Sequence, residues 1–184
     1  LHKKGLRAVG FSGADALTLL CSPASKKLGL VGEIETVNSQ LIDQVLNMPG
    51  DLGLRGIPVI APIGTDRNGQ AYNINADWAA SRIASHLGVE KMLFLTDQDG
   101  ILDQEGKRTS ELDAGELLQM IEEGTVKGGM LAKAKTIIYA VQNKVTDVHI
   151  FNARRPHALL EELFTDAGVG TVCRLRSRAH KGKK

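Results

Sequence analysis

The sequence has only two cysteines, Cys21 and Cys173, far apart and with neither a CxxC pair nor a histidine at ligand spacing. A disulfide framework is therefore excluded as the basis of the fold, and two buried, reduced thiols are expected, as in a cytoplasmic protein. The five histidines are scattered singly, so no metal site is expected. Long apolar runs are lacking too. A stretch such as Ile57 to Ile63, interrupted by two prolines, is strand-sized and far short of a bilayer span, so no membrane partner is expected. There is no internal repeat, no low-complexity linker before the C-terminus, and no leader pattern in the opening Leu1-His2-Lys3-Lys4-Gly5. The chain opens without Met, in what reads as the end of a helix, and a truncated start is expected.

What is present describes a globular chain. Apolar residues make up 42% and charged residues 24% of the 184 positions, enough for one domain with a proper core. The net charge of +2 conceals an asymmetry. Arg174 to Lys184 holds six of the cations and no acid, which leaves the preceding body at −4. A nucleic-acid face would need its cations spread over the folded part, so no nucleic-acid partner is expected. Residues 1–173 read as one domain and 174–184 as a basic tail expected to be disordered.

Strand-like and helix-like segments alternate. Leu6 to Phe11 reads as a strand entering a Ser12-Gly13 turn, and Leu17 to Cys21 with Leu28 to Val37 as a two-stranded flap. Asn38 can cap a helix carrying Leu41, Ile42, Val45 and Leu46. Ile57 to Ile63 reads as a buried strand, Asp66-Arg67-Asn68-Gly69 as a hairpin turn, and Ala76 to Leu87 as a helix with Ala79, Ala80, Ile83, Ala84 and Leu87 inward. Lys91 to Thr96 is a strand. Asp113-Ala114-Gly115-Glu116 is a capping box opening a helix through Leu117, Leu118 and Ile121. Gly129 to Val141 is a helix with Met130, Ala134, Ile137, Ile138 and Val141 inward. Strand Asp147 to Phe151, helix Pro156 to Phe164 and strand Gly170 to Leu175 follow. The alternation predicts a layered α/β domain with a largely parallel sheet.

Three clusters could carry chemistry. In Tyr72-Asn73-Ile74-Asn75-Ala76-Asp77 a strand runs into a helix, and alternation in an extended chain would put Asn73, Asn75 and Asp77 on one side. Helix capping by Asn75 or Asp77 accounts for one of the three, not all. In Leu95-Thr96-Asp97-Gln98-Asp99-Gly100-Ile101-Leu102-Asp103 polar groups follow a hydrophobic strand, at the edge where open α/β sheets bind ligands. An ordinary turn would look similar, and the spacing of a calcium-binding loop is absent. In Gly124-Thr125-Val126-Lys127-Gly128-Gly129-Met130-Leu131-Ala132-Lys133 two glycines at a helix start expose backbone N–H groups at the positive end of the helix dipole. Lys133 lies one turn further in, where its stem can reach the same anion. The Walker A spacing is missing throughout. Together the clusters suit phosphoryl transfer, which needs mostly positioning and compensation of negative charge.

These stretches, in this order, resemble the N-acetylglutamate kinase branch of the amino acid kinase family. Tyr72 to Asp77 is similar to its substrate and catalytic segment, Leu95-Thr96-Asp97 with Gly100-Ile101-Leu102 to its nucleotide loop, and Gly128-Gly129-Met130 with Lys133 to its catalytic-lysine helix. The resemblance runs over nearly all of Leu1 to Val172. It implies a three-layer α/β/α fold with a largely parallel central sheet, here missing its N-terminal strands. It also implies ATP with Mg2+, the ion not held by a dedicated protein site, and phosphorylation of the side-chain carboxylate of N-acetyl-L-glutamate to an acyl phosphate in arginine biosynthesis. Asn73 would contact the substrate, Lys133 would stabilise the transferring phosphoryl group and Asp77 would organise the active-site lysines. Thr96, Asp97, Gly100, Ile101 and Leu102, with Thr125, Val126, Lys127, Gly128 and Gly129, would line the nucleotide pocket.

The run from His157 to Thr171 follows the H-x-x-L-x-E-[LI]-[FL]-T-x-x-G-x-G-T pattern of arginine-inhibited members, which implies arginine as an inhibitor and a homo-oligomer. Read from its residues alone, the same run is a helix docking on the last strand through Leu160, Leu163 and Phe164. The family's K-x-G-G turn, its second glycine pair and its substrate-carboxylate arginine would lie upstream of Leu1, and Ala14 stands where the family often has lysine. Losing one preorganised donor typically costs about 10²–10³ in rate, so the chain as it stands is expected to be nearly inactive. The alternatives are a catalytically silent nucleotide- or arginine-binding module and a kinase for another blocked acid, such as an aminoadipate derivative.

Overall fold

The computed structural model describes residues 1–49 and 55–176. Arg178, Lys181, Lys183 and Lys184 of the expected tail lie outside the described residues. The chain divides into two compact units, Leu1–His86 and Leu87–Lys184. Among the described residues the strands form three hydrogen-bonded sheets.

In the first unit, β1 (Ala8–Ser12) pairs in parallel with β4 (Ile57–Ala61), Ala8 facing Ile57 and Ser12 facing Ala61. The flap is present as antiparallel β2 (Leu19–Pro23) and β3 (Gly32–Val37). It does not stand alone, because β5 (Ile63–Thr65) and β6 (Ala71–Asn73) complete a sheet in the order β3-β2-β5-β6. The single strand expected over Ile57 to Ile63 is thus two strands, parted at Pro62, which has no N–H to give to a ladder. Nor is it buried: Val59 is 49% exposed, because among the described residues β4 has a ladder partner only in β1. The Asp66–Gly69 turn forms as its chemistry requires, with Asp66 Oδ1 accepting from the N–H groups of Asn68 (2.8 Å) and Gln70 (3.0 Å).

Helix α1 (Gln40–Leu46) receives its cap from Asn38, whose Oδ1 accepts from the N–H of Gln40 (3.1 Å), and it buries Ile42 and Val45. Helix α2 (Ala76–Leu87) buries Ala79, Ser81, Ala84 and Ser85, while Ala80, expected inward, is exposed. Its orientation is fixed by Arg82, which donates to the carbonyls of Ile34 (2.7 Å) and Glu35 (3.2 Å) on β3. Leu19, Cys21, Ile34, Tyr72, Ile74 and Ala79 form the core here.

The second unit is built on a sheet ordered β7-β9-β10-β8, from β7 (Lys91–Thr96), β8 (Glu111–Asp113), β9 (Asp147–Asn152) and β10 (Thr171–Arg174). β7 and β9 run parallel, as do β8 and β10, and the β9–β10 pair is antiparallel. Residues 147–151 of β9 are all buried. Since successive side chains point to opposite faces, the strand is covered on both. Helix α3 (Ala114–Glu122) has the expected capping box: the Glu116 N–H donates to Asp113 Oδ1 (2.8 Å) and the Asp113 N–H to Glu116 Oε2 (2.7 Å). It buries Leu117, while Leu118 is exposed. Helix α4 (Gly129–Gln142) packs on β9, β10 and α3.

Helix α5 (Ala158–Phe164) corrects the sequence reading of its docking face. Leu160 is 55% and Phe164 79% exposed, and the inward residues are Ala158 and Glu162. The reason is polar. Glu162 lies against His149 of β9, with Oε1 2.7 Å from Nδ1, and its Oε2 accepts the N–H groups of Val169 (2.7 Å) and Gly170 (2.8 Å). Arg174, counted with the tail by charge, is the last residue of β10. It is ion-paired with Asp147 (2.8 Å) and Glu111 (2.7 Å).

Candidate active site

β7 ends at Thr96, and the loop after it turns back below the carboxyl edge of the strand. Gly100 has φ 142°, a conformation that side chains disfavour, so the turn needs a glycine. Beyond it, Asp103 folds the next turn by accepting at Oδ1 from the N–H groups of Glu105 and Lys107, both at 2.9 Å. A second segment leaves α3 and reaches Gly128, which caps α4 at φ 59° and ψ −138°, again a glycine conformation. No side chain caps α4 and its first turn holds no acid, so the partial positive charge of its N-terminus is not answered within the helix's first turn.

The two segments enclose a cavity of about 480 Å³. The first contributes Thr96, Asp97, Gly100 and Leu102, and the second Thr125, Val126, Lys127 and Gly129. Lys133 lines it from one turn inside α4, its ammonium 5.8 Å from the ring centroid of Phe94. Two residues expected in the lining are not there. Ile101 is fully buried, because its side chain enters the core while Gly100 and Leu102 on either side face the cavity. Gly128 shapes the helix start without lining the space. Gln98 and Met130 line it without having been expected in the lining, Met130 having been read as an inward residue of its helix, and only their place inside the two motifs could have marked them. A neighbouring cavity of about 590 Å³ shares Leu102, Thr125 and Lys127 and adds the carboxylates Asp103 and Glu123.

At the mouth, Asp97 is held below the usual carboxylate range, first by its own backbone N–H and then by the Gln98 amide. Arg154 adds to this from 3.7 Å. Asp97 thus stays an acceptor beside a pocket whose other charged groups, Lys127 and Lys133, are cations. Such a space offers ammonium groups and helix N–H groups to phosphates and a carboxylate to hydroxyls. Among the described residues no group of three or more His, Cys, Asp or Glu side chains could hold a metal ion.

The remaining predicted residues belong to the first unit. Asn73 closes β6 with an exposed side chain, its backbone N–H donating to the Leu30 carbonyl (2.8 Å). Asn75 is the cap of α2, its Oδ1 accepting from the N–H of Trp78 (3.0 Å). Asp77 is in the helix's first turn, where its charge favours the dipole. The extended alternation expected for the three therefore stops at Asn73.

Both thiols are free and buried. Burial pushes Cys21 up to about 11 and Cys173 up to about 12, so neither is a nucleophile at neutral pH.

The profile described as the amino acid kinase family matches residues 1–152. The acetylglutamate kinase of Campylobacter curvus is 46% identical over 173 residues, covering 94% of this chain and 59% of that protein. That of Methanocaldococcus jannaschii is 42% identical over 187 residues, covering 94% and 60%. Among solved structures, N-acetylglutamate synthase from Neisseria gonorrhoeae, complexed with coenzyme A and N-acetyl-glutamate, superposes with a TM-score of 0.81. It is 25% identical and covers 96% of this chain and 40% of that one. Carbamate kinase of Giardia shares the fold at a TM-score of 0.67 and 15% identity, over 95% of this chain and 64% of that one. The chain spans about 60% of the length of the curated relatives it matches.

Proposed function

The chain belongs to the amino acid kinase family, and from that premise we propose that it serves ATP-dependent phosphorylation of N-acetyl-L-glutamate in arginine biosynthesis, in the cytoplasm. In this reaction a side-chain carboxylate oxygen bonds to the γ-phosphorus as the bond to the ADP oxygen breaks, giving an acyl phosphate and ADP. The observation that carries the reading is the cavity at the N-terminus of α4. It gathers Thr96, Asp97, Gly100 and Leu102 with Thr125, Val126, Lys127 and Gly129, and adds Lys133.

In this reading the N-terminus of α4 and Lys127 hold the phosphates. Lys133 offsets the charge that develops on the transferring group, and such preorganised charge is most of what phosphoryl transfer asks of a protein. Asp97 accepts from nucleotide hydroxyls. Mg2+, when bound, would neutralise part of the phosphates' charge and, as the kinship implies, would arrive on the nucleotide. By kinship Asn73 takes the acyl amino acid and Asp77 organises the active-site lysines. Arginine as an inhibitor, and assembly with further copies, rest on the His157 to Thr171 run.

Calorimetry with ATP·Mg2+ tests the pocket. Lys133→Ala and Asp97→Ala should each weaken binding by about tenfold or more, as expected for loss of a charge-assisted contact. Unchanged affinity in both variants would remove the nucleotide assignment. Trapping with hydroxylamine in the presence of N-acetyl-L-glutamate then reads acyl phosphate directly. ATP binding without trapped product would make this chain a nucleotide-binding module instead of a kinase.

A further inference from the structure

The floor of the nucleotide loop is set by a residue that lies 70 positions away in the chain. Thr171, the first residue of β10, is fully buried, and its hydroxyl is used in both directions. Oγ1 accepts the N–H of Ile101 (2.9 Å) and donates to the carbonyl of Thr109 (2.5 Å). Ile101 is the anchored member of a triplet whose outer members, Gly100 and Leu102, line the cavity. The contact is close. A β-carbon on Gly100 would lie 2.5 Å from Thr171 Oγ1, so the loop backbone rests on the hydroxyl itself.

Thr171 is fixed from the other side. The preceding residue, Gly170, gives its N–H to the buried carboxylate of Glu162, as does Val169. The Gly170 carbonyl accepts from Arg108 Nη1, which ties the turn to the strand-like stretch leaving the loop. A continuous set of bonds thus runs from α5 through the 169–170 turn to Ile101, all within one unit.

We infer that Thr171 is a positioning residue for nucleotide binding: its hydroxyl, held in place by Glu162 through the 169–170 turn, sets the height at which Gly100 and Leu102 meet the nucleotide. The inference rests on reading the cavity as a nucleotide pocket. Removing the hydroxyl at constant shape takes its bonds from the buried N–H of Ile101 and the part-buried carbonyl of Thr109, a loss which the loop relieves by moving toward solvent.

The test compares Thr171→Val with Thr171→Ser in two measurements: ATP·Mg2+ affinity by calorimetry, and amide hydrogen exchange at Ile101 with Phe94 of β7 as an internal reference. Thr171→Val should weaken ATP about tenfold and speed Ile101 exchange about tenfold relative to Phe94, while Thr171→Ser stays within about threefold on both. Val148→Ala, a cavity in fully buried β9, should lower the unfolding midpoint and leave affinity unchanged. Should Thr171→Val not fold, Glu162→Gln probes the same bonds from the far end and should weaken ATP about threefold. The inference is overturned if Ile101 keeps its protection in Thr171→Val, if serine does not restore binding, or if Val148→Ala weakens ATP equally. Wild-type chain that binds no ATP overturns the nucleotide reading and with it the purpose assigned to the loop, while the exchange measurement still decides whether Thr171 holds it.

Discussion

β4 and β9 each have a parallel partner, and they end in opposite surroundings. β9 is flanked by β7 and β10 and buried through residues 147–151, with Phe151, Ile150 and Val148 fully inaccessible. Among the described residues β4 pairs with β1 alone and leaves Val59 49% exposed. Composition does not explain this, since β4 carries no polar side chain whereas β9 carries Asp147, His149 and Asn152. The number of neighbouring strands does, because a parallel strand is covered only when elements flank it and lie on both faces. The unit that carries the cavity at the start of α4 therefore owns a closed core, whereas β1 and β4 of the other unit are half covered.

The largest effect should come from the closed strand. Phe151→Ala removes a fully buried ring from β9 and should cost about 3–5 kcal/mol in urea unfolding, since the surrounding core relaxes only partly into the space. If it cost less than about 1 kcal/mol, β9 would be no better packed than β4 and the contrast between the units would be lost.

Next in size is Glu162, whose bonds hold α5 onto β9. Burial alone would raise its carboxyl pKa. The bond to His149 and the N–H groups of Val169 and Gly170 outweigh burial and leave the value below its ordinary 4.5. A carboxyl depressed in the folded state contributes stability above its unfolded value, and that contribution fades as pH falls through the folded value. Glu162→Gln should therefore cost about 1–3 kcal/mol at pH 7. The gap between wild type and variant should narrow as pH is lowered from about 4.5 toward the acid limit. A gap that stays constant with pH would show that the carboxylate charge plays no part in closing this unit.

Glu162 also marks where the sequence stops being readable. The segment Leu160, Leu163, Phe164 has helical spacing and an apolar look, so the apolar face was read as the docking face. The helix instead buries a carboxylate, because its partners are a strand 13 residues before it and a turn that follows it. No local pattern announces such a network. The loop after β7 was legible for the opposite reason: strand end, glycine turn and glycine helix start are local signals, and Thr96, Asp97, Gly100 and Leu102 line one cavity with Thr125, Val126, Lys127 and Gly129. Within that loop the inward turn of Ile101 was not legible, since it depends on Thr171. Pro62 shows a smaller failure of the same kind. A strand of the right composition was expected to run through it, and the missing N–H divides it into β4 and β5.

The smallest effect tests the open side of the comparison. Val59 is half exposed on a two-stranded sheet, so Val59→Thr removes little burial and keeps a β-branched side chain suited to a strand. Its unfolding free energy should lie within about 0.5 kcal/mol of wild type. The measurement is most informative at two protein concentrations. If this face is covered by a second copy in solution, stability follows protein concentration by mass action and the threonine weakens that dependence. If the face is open, neither concentration nor the hydroxyl shifts the midpoint. A cost above about 1 kcal/mol that did not change with concentration would place Val59 in a packed core, and the contrast between β4 and β9 would then rest on β9 alone.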